Sequence, residues 1–229
     1  MTDEPLETRE PPLRAWSRKH AVTVLAAVLA CVYFHAAWPS ALLALPSFLS
    51  FIVASRGRLT PSGRFGLANT VTSVRLALVL GLTVPGAWLS SRAAAALTVG
   101  ILCLDFLDGW LARNRGDASV FGARFDMETD ALLVLVVTLR LWLVEGYGVW
   151  VLAAGLWRYG YVILLWLAPG TGREAPRTLL GRYAFLTLML GLIGGLVARG
   201  TYGSLCVALG TLTVSASFAR SIYFAHSAS

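Results

Sequence analysis

Charge is what this chain has least of. Asp, Glu, Lys and Arg together make up 14% of its 229 residues, against about 25% in a typical soluble domain. With 57% of residues hydrophobic, that shortage excludes a single water-soluble core and points to an integral membrane protein. Cysteine is scarce as well. Cys31, Cys103 and Cys206 all lie inside apolar runs without paired spacing, so they read as small packing residues and no disulfide framework is available. Histidine is limited to His20, His35 and His226, scattered too widely for a metal-binding pattern. They read as packing or interfacial residues. No soluble domain, internal repeat or low-complexity tract stands out.

What remains is a series of apolar runs, at about residues 20–38, 40–55, 70–90, 93–112, 127–147, 149–168, 183–199 and 202–222. Their number and length predict an all-α, polytopic transmembrane helix bundle of about eight spans. The second run is short and contains Pro46, which makes it the weakest of the eight. The formal net charge of +7 does not indicate nucleic acid as a partner, because the bases are not gathered on one soluble face. They fall in short segments between runs: Arg14, Arg18 and Lys19; Arg56, Arg58 and Arg64; Arg113, Arg115 and Arg124; Arg173, Arg177 and Arg182. Eight spans put all of these on one side, with Arg92 and Arg199 on the other. The positive-inside rule then assigns that side, and both termini, to the cytoplasm. A basic face also suits a lipid bilayer with anionic headgroups.

Residues 1–13 are polar, with Pro5, Pro11 and Pro12, and read as a disordered tail. The stretch that follows has the charged-then-apolar order of a secretory signal. Four acidic residues precede it and a second apolar run follows at once, so a retained first helix is the better reading. Residues 14–55 are expected to form a transmembrane hairpin turning near Trp38-Pro39-Ser40. Residues 56–68, rich in Gly, Pro and Arg, read as a cytoplasmic connector carrying at most a short interfacial helix. The remainder, 69–229, is expected to be one membrane domain of six helices. Within it Gly191 and Gly195 make a GxxxG, read as close packing inside the protomer ahead of a dimer contact.

Four acids interrupt this apolar pattern. Asp105, Asp108, Asp126 and Asp130 sit at the ends of two long runs. A carboxylate at membrane depth costs roughly 2.5–3.5 kcal/mol and normally marks a functional site. The i,i+3 and i,i+4 spacings place each pair on one face of its own helix. Four such groups repel unless cations lie between them, and hard oxygen donors suit Mg²⁺, Mn²⁺ or Ca²⁺. Paired divalent ions held by carboxylates are an apparatus for phosphoryl transfer.

The segment reads D-x2-D-G-x2-A-R-x8-G-x3-D-x3-D, with eight fixed positions over 26 residues. In this it resembles the CDP-alcohol phosphatidyltransferase family, and the resemblance covers residues 65–222. It implies a six-helix catalytic core, a homodimer and two divalent cations, with Mg²⁺ preferred and Mn²⁺ as the substitute. It implies Asp105, Asp108 and Asp126 as metal ligands, and Asp130 as a ligand and general base. Gly109 and Ala112 keep a helix face small enough for a nucleotide to approach, and Arg113 is suited to pair with diphosphate oxygens as a planar fork. Gly122 reads as a turn into the next helix. Asn69, Thr72 and Arg75 form an N-x-x-T-x-x-R on one helix face, which the resemblance places near the cytidine diphosphate. Capping is an alternative role for Asn69 and Thr72. Arg158, a lone cation in an apolar run, must face a partner or a polar cavity. The resemblance makes it the first candidate for holding a phosphorylated acceptor, followed by Arg173, Arg177 and Arg182. Arg140 reads equally well as a snorkelling or structural residue.

The function so implied is transfer of a phosphatidyl group from CDP-diacylglycerol to a polar alcohol, with release of CMP. Two rival readings stay open. In one, a soluble CDP-choline or CDP-ethanolamine donates to a lipid alcohol; in the other, the acids line a cation transporter. A transport path would more naturally put acids deep in several helices than at two facing ends.

Overall fold

The computed structural model describes residues 11–84, 89–167, 179–198 and 200–227. Among these residues eight α-helices follow one another: α1 (Pro11–Phe34), α2 (Trp38–Ala54), α3 (Leu67–Gly81), α4 (Ser91–Arg115), α5 (Val120–Leu143), α6 (Leu152–Leu167), α7 (Leu179–Val197) and α8 (Thr201–Ser227). A short 3-10 turn, Val149–Val151, leads into α6. No strand occurs among the described residues.

Among the described residues, five elements are long and apolar enough to cross a membrane: α1, α4, α7, α8, and α6 taken together with the 3-10 turn before it, Val149–Leu167. The polytopic helical bundle is as expected, and the other three helices fall outside that measure of length and hydropathy for separate reasons. Helices α2 and α3 are shorter, at 17 and 15 residues. Helix α3 ends at Gly81 instead of running on to residue 90. Helix α5 has the length, but Asp126, Glu128, Asp130 and Arg140 interrupt its hydropathy. It can carry them because every residue from Ala131 to Leu141 is buried. A helix enclosed by others has no lipid to satisfy and contacts protein on all sides. Helix α2 continues through Pro46 without a break. Of the expected tail, Pro11, Pro12 and Leu13 belong to α1, and residues 1–10 lie outside the described residues. The connector is helix-free and ends at Gly66.

Helix α5 is the axis of the bundle. It packs against α3, α6 and α7, while α4 lies against α3 and α7, α1 against α2 and α6, and α8 against α7 and α6. The core runs through Phe48, Phe51, Ile101, Phe121, Phe125 and the Leu/Val stretch of α5. Hydroxyls inside it are satisfied locally, with Thr98 donating to the Ala94 carbonyl and Thr129 to that of Phe125, each at 2.8 Å. Outward-facing Leu29, Leu190, Leu209 and Leu212 are exposed, as lipid contact requires.

The glycines of α7 and α8 explain their close approach. A Cβ on Gly191 would land on the Cys206 carbonyl oxygen, and one on Gly195 would meet Val207 at 2.5 Å. The GxxxG packs within the protomer, as its spacing suggested.

Candidate metal centre

Three helix segments meet at one end of the bundle, and their ends are defined by local chemistry. Ser119 caps α5 by accepting from the Gly122 N–H at 2.9 Å. Gly116 closes α4 in the left-handed conformation, φ 68°, with Arg113 and Arg115 in the last turn, where the helix dipole favours cations. Only residues 116–119 separate the end of α4 from the start of α5. The connector is fastened to the same point. The Leu59 carbonyl accepts from Ser119 Oγ at 2.7 Å and from Asn69 Nδ2 at 3.2 Å.

The four aspartates converge here. Asp105, Asp108 and Asp126 each present an oxygen, the three lying within 4.8 Å of one another. Arg75 of α3, completely buried, sits among them. Its Nη1 reaches Asp108 Oδ2 at 2.6 Å and Asp126 Oδ1 at 2.7 Å. Its Nη2 reaches Asp105 Oδ1 at 3.0 Å and also contacts Asp130 Oδ1. Thr72 donates to Asp108 Oδ2 at 3.0 Å. Side chains of Asp105, Asp126 and Asp130 keep 26%, 25% and 21% of their surface accessible, so an ion or substrate can reach them. Asp108 is enclosed.

This donor set fits divalent cations. Its donors are carboxylate oxygens on rigid helices, the ligand type hard cations take. Four carboxylates against one guanidinium leave three formal negative charges to be compensated.

Gly109 lies one turn below Arg113, and a Cβ there would come within 3.3 Å of Arg113 Nη1. Arg113 is exposed and Ala112 half-exposed at the same end of α4. Gly122 has a packing reason of its own: a Cβ would stand 2.9 Å from Asn69 Oδ1. Asn69 is committed to the connector, donating to Phe65 O at 2.5 Å as well as to Leu59.

Arg158 has a partner that the sequence reading did not identify. Its Nη2 lies 2.6 Å from Glu128 Oε1, with the two side chains 11% and 2% exposed. Glu128 falls between Asp126 and Asp130 in sequence but points from the opposite face of α5. The available signal was a lone acid and a lone base, each buried in an apolar run. Arg140, at the far end of α5, donates to Leu89 O at 2.5 Å and faces Glu145 at 3.5 Å, which is a structural role. Arg182 is exposed at the start of α7. Arg173, Arg177 and Arg199 lie outside the described residues.

A model of the CDP-alcohol phosphatidyltransferase family matches residues 65–218. The chain is also similar to the CDP-diacylglycerol–glycerol-3-phosphate 3-phosphatidyltransferase of Treponema pallidum (strain Nichols), with 31% identity over 113 residues. That alignment takes in 49% of this chain and 52% of the relative, so the chain spans about half the length of the curated protein it matches. No solved structure matches it. The family match extends over well more than half of the chain and contains α3 to α7 with all four converging aspartates: this is a member of the CDP-alcohol phosphatidyltransferase family.

Proposed function

We propose that this protein transfers the phosphatidyl group of CDP-diacylglycerol to the hydroxyl of a polar alcohol and releases CMP. The observation that carries the reading is the convergence of Asp105, Asp108, Asp126 and Asp130 at one open end of an apolar bundle. A lipid-linked donor can enter from the bilayer there, and a soluble acceptor from water.

Asp105, Asp108 and Asp126 would hold one divalent cation, and Asp126 with Asp130 would contribute to a second, Mg²⁺ in the first instance and Mn²⁺ as substitute. Such ions, when bound, partly neutralise a diphosphate and stabilise the departing phosphate. Arg113 offers a planar fork to the diphosphate oxygens, and Gly109 and Ala112 leave room for the nucleotide beside it. Asp130 accepts the proton of the acceptor hydroxyl. The acceptor oxygen forms its bond to the phosphorus distal to cytidine, and the bond from that phosphorus to CMP breaks in line. Thr72 and Arg75 serve the nucleotide by fixing the aspartates that face it. The name of the Treponema relative favours a phosphorylated acceptor of the glycerol 3-phosphate kind. Of the bases proposed to bind it, Arg158 is already engaged by Glu128, which puts Arg173, Arg177 and Arg182 ahead of it.

The active end and both termini are read as cytoplasmic, and a homodimer is the working assembly. The test is CMP release from radiolabelled CDP-diacylglycerol, with a panel of acceptors, in Mg²⁺ and in EDTA. Release with no acceptor but a diacylglycerol plus CDP-choline would overturn the donor assignment. Cation uptake into liposomes without any CMP release would favour a transporter.

A further inference from the structure

The family match begins at residue 65 and leaves the hairpin of α1 and α2 without a role. Its contacts give it one. Phe51 of α2 stacks on Phe121 of α5, ring centroids 4.7 Å apart, and Phe48 meets Phe125 edge-on at 5.8 Å. Trp16 of α1 stacks on Phe51 at 3.9 Å and on His20 at 4.7 Å. The aromatic ladder thus ends on the two turns of α5 that lead into Asp126. At about 100° per residue, Phe121, Phe125 and Glu128 share one side of that helix, opposite the side carrying Asp126 and Asp130.

A polar contact lies beside the ladder. His20 is completely buried, and its Nδ1 shares a 2.8 Å hydrogen bond with Ser47 Oγ of α2. Trp16 Nε1 donates to Ser47 O at 3.0 Å. The His20 ring meets Phe48 edge-on at 4.8 Å and the ring of Tyr159 at 6.1 Å, next in sequence to Arg158, which pairs with Glu128. His20 Nε2 and the Tyr159 hydroxyl are both enclosed without a hydrogen-bond partner, so the groups around the ion pair come from α1, α5 and α6 together.

We propose that the N-terminal hairpin is a brace for the metal-binding turn of α5, and that His20 is a positioning residue for Asp126 and Asp130. It acts through its contacts with Ser47, Trp16 and Phe48, which seat Phe48 and Phe51 on the Phe121–Phe125 face. Any lateral shift of α5 at this level changes the separation between Asp126 and the α4 pair, on which shared coordination depends. The inference rests on the metal-site reading given above.

The test uses the full chain in detergent micelles or nanodiscs. Mn²⁺ affinity is measured by electron paramagnetic resonance, beside kcat and the KM of each substrate. His20→Leu removes the bond to Ser47, and His20→Asn retains an acceptor near the Nδ1 position. Expected for His20→Leu are a loss of Mn²⁺ affinity and of kcat of about tenfold each, with both KM values within about twofold of wild type. His20→Asn should restore most of both losses. A cavity in the packing alone would not discriminate between these two variants in metal affinity. If His20→Leu does not fold, Phe51→Leu, which loosens the stack on Phe121 without touching the polar contact, gives the same readings. A folded His20→Leu or Phe51→Leu variant with Mn²⁺ affinity and kcat unchanged overturns the proposal, as does a rise confined to the acceptor KM. A wild-type chain that binds no Mn²⁺ overturns the metal-site reading itself, and this inference with it.

Discussion

The Glu128–Arg158 pair makes the most quantitative demand on this structure. Glu128 is 2% exposed and Arg158 11% at a separation of 2.6 Å. Replacing Arg158 by Met leaves a carboxylate buried among aromatic side chains without its principal counter-charge. Breaking a buried pair from one side typically costs about 3–5 kcal/mol, whereas replacing both partners with uncharged groups of similar volume is often close to neutral. Arg158→Met alone should therefore destabilise by about 3 kcal/mol or more. Glu128→Gln alone should cost less, because the Arg158 side chain is the more exposed of the two. The double variant should recover at least about 2 kcal/mol of the summed losses, a coupling within the range seen for residues in direct contact.

Tryptophan fluorescence during unfolding in mixed micelles reads this out, since the chain has eight tryptophans. Two losses that simply add would refute the pairing. The same variants separate two roles for Arg158. If it also holds the phosphate of the acceptor, Arg158→Met raises the acceptor KM tenfold or more, as expected from loss of one charge-assisted contact of about 1.5–3 kcal/mol, and Glu128→Gln does not. Equal damage to both substrates leaves the ion pair as the whole of its role.

Asp130→Asn should keep the fold and nucleotide binding yet abolish turnover, measured as CMP release at equal protein. Substantial release would place the general base elsewhere. Asp105→Ala and Asp126→Ala should each raise the Mg²⁺ concentration needed for half-maximal rate and lower the maximum. Activity that persists unchanged in excess EDTA would refute the two-metal reading. Gly191→Leu should cost about 1–3 kcal/mol or more through overpacking against the Cys206 backbone. Gly160→Leu, with nothing within 4 Å of its added Cβ, should stay within about 0.5 kcal/mol in the same melt.

The aspartate constellation was legible because its spacing is helical and its cost in an apolar chain is high. The GxxxG was legible for a similar reason: small residues four apart have one plain use between helices. Other features escaped for identifiable causes. A hydropathy window cannot distinguish a span facing lipid from one enclosed by protein, so α5 looked like an ordinary membrane helix. Pro46 looked like a break, but α2 carries it within one continuous helix. Asn69 carried two readings, and its side chain turned to the connector, whose path the local sequence does not define. Glu128 went unnoticed between two aspartates because the period of 3.6 that gathers Asp126 and Asp130 sends the residue between them to the other side.

Arg75 shows most clearly how the site is held together in an apolar surround. Two like charges 4 Å apart repel by about 4 kcal/mol at an effective dielectric of 20, so four carboxylates at these separations would push α4 and α5 apart. Each terminal nitrogen of Arg75 links one aspartate of α4 with one of α5: Nη1 joins Asp108 to Asp126, and Nη2 joins Asp105 to Asp130. A lysine carries its charge at one point and has no fork with which to divide it. The guanidinium therefore sets the register of the two helices as well as offsetting part of their repulsion. With both terminal nitrogens committed and no surface exposed, Arg75 has no direct hold to offer a ligand and works through the carboxylates it aligns.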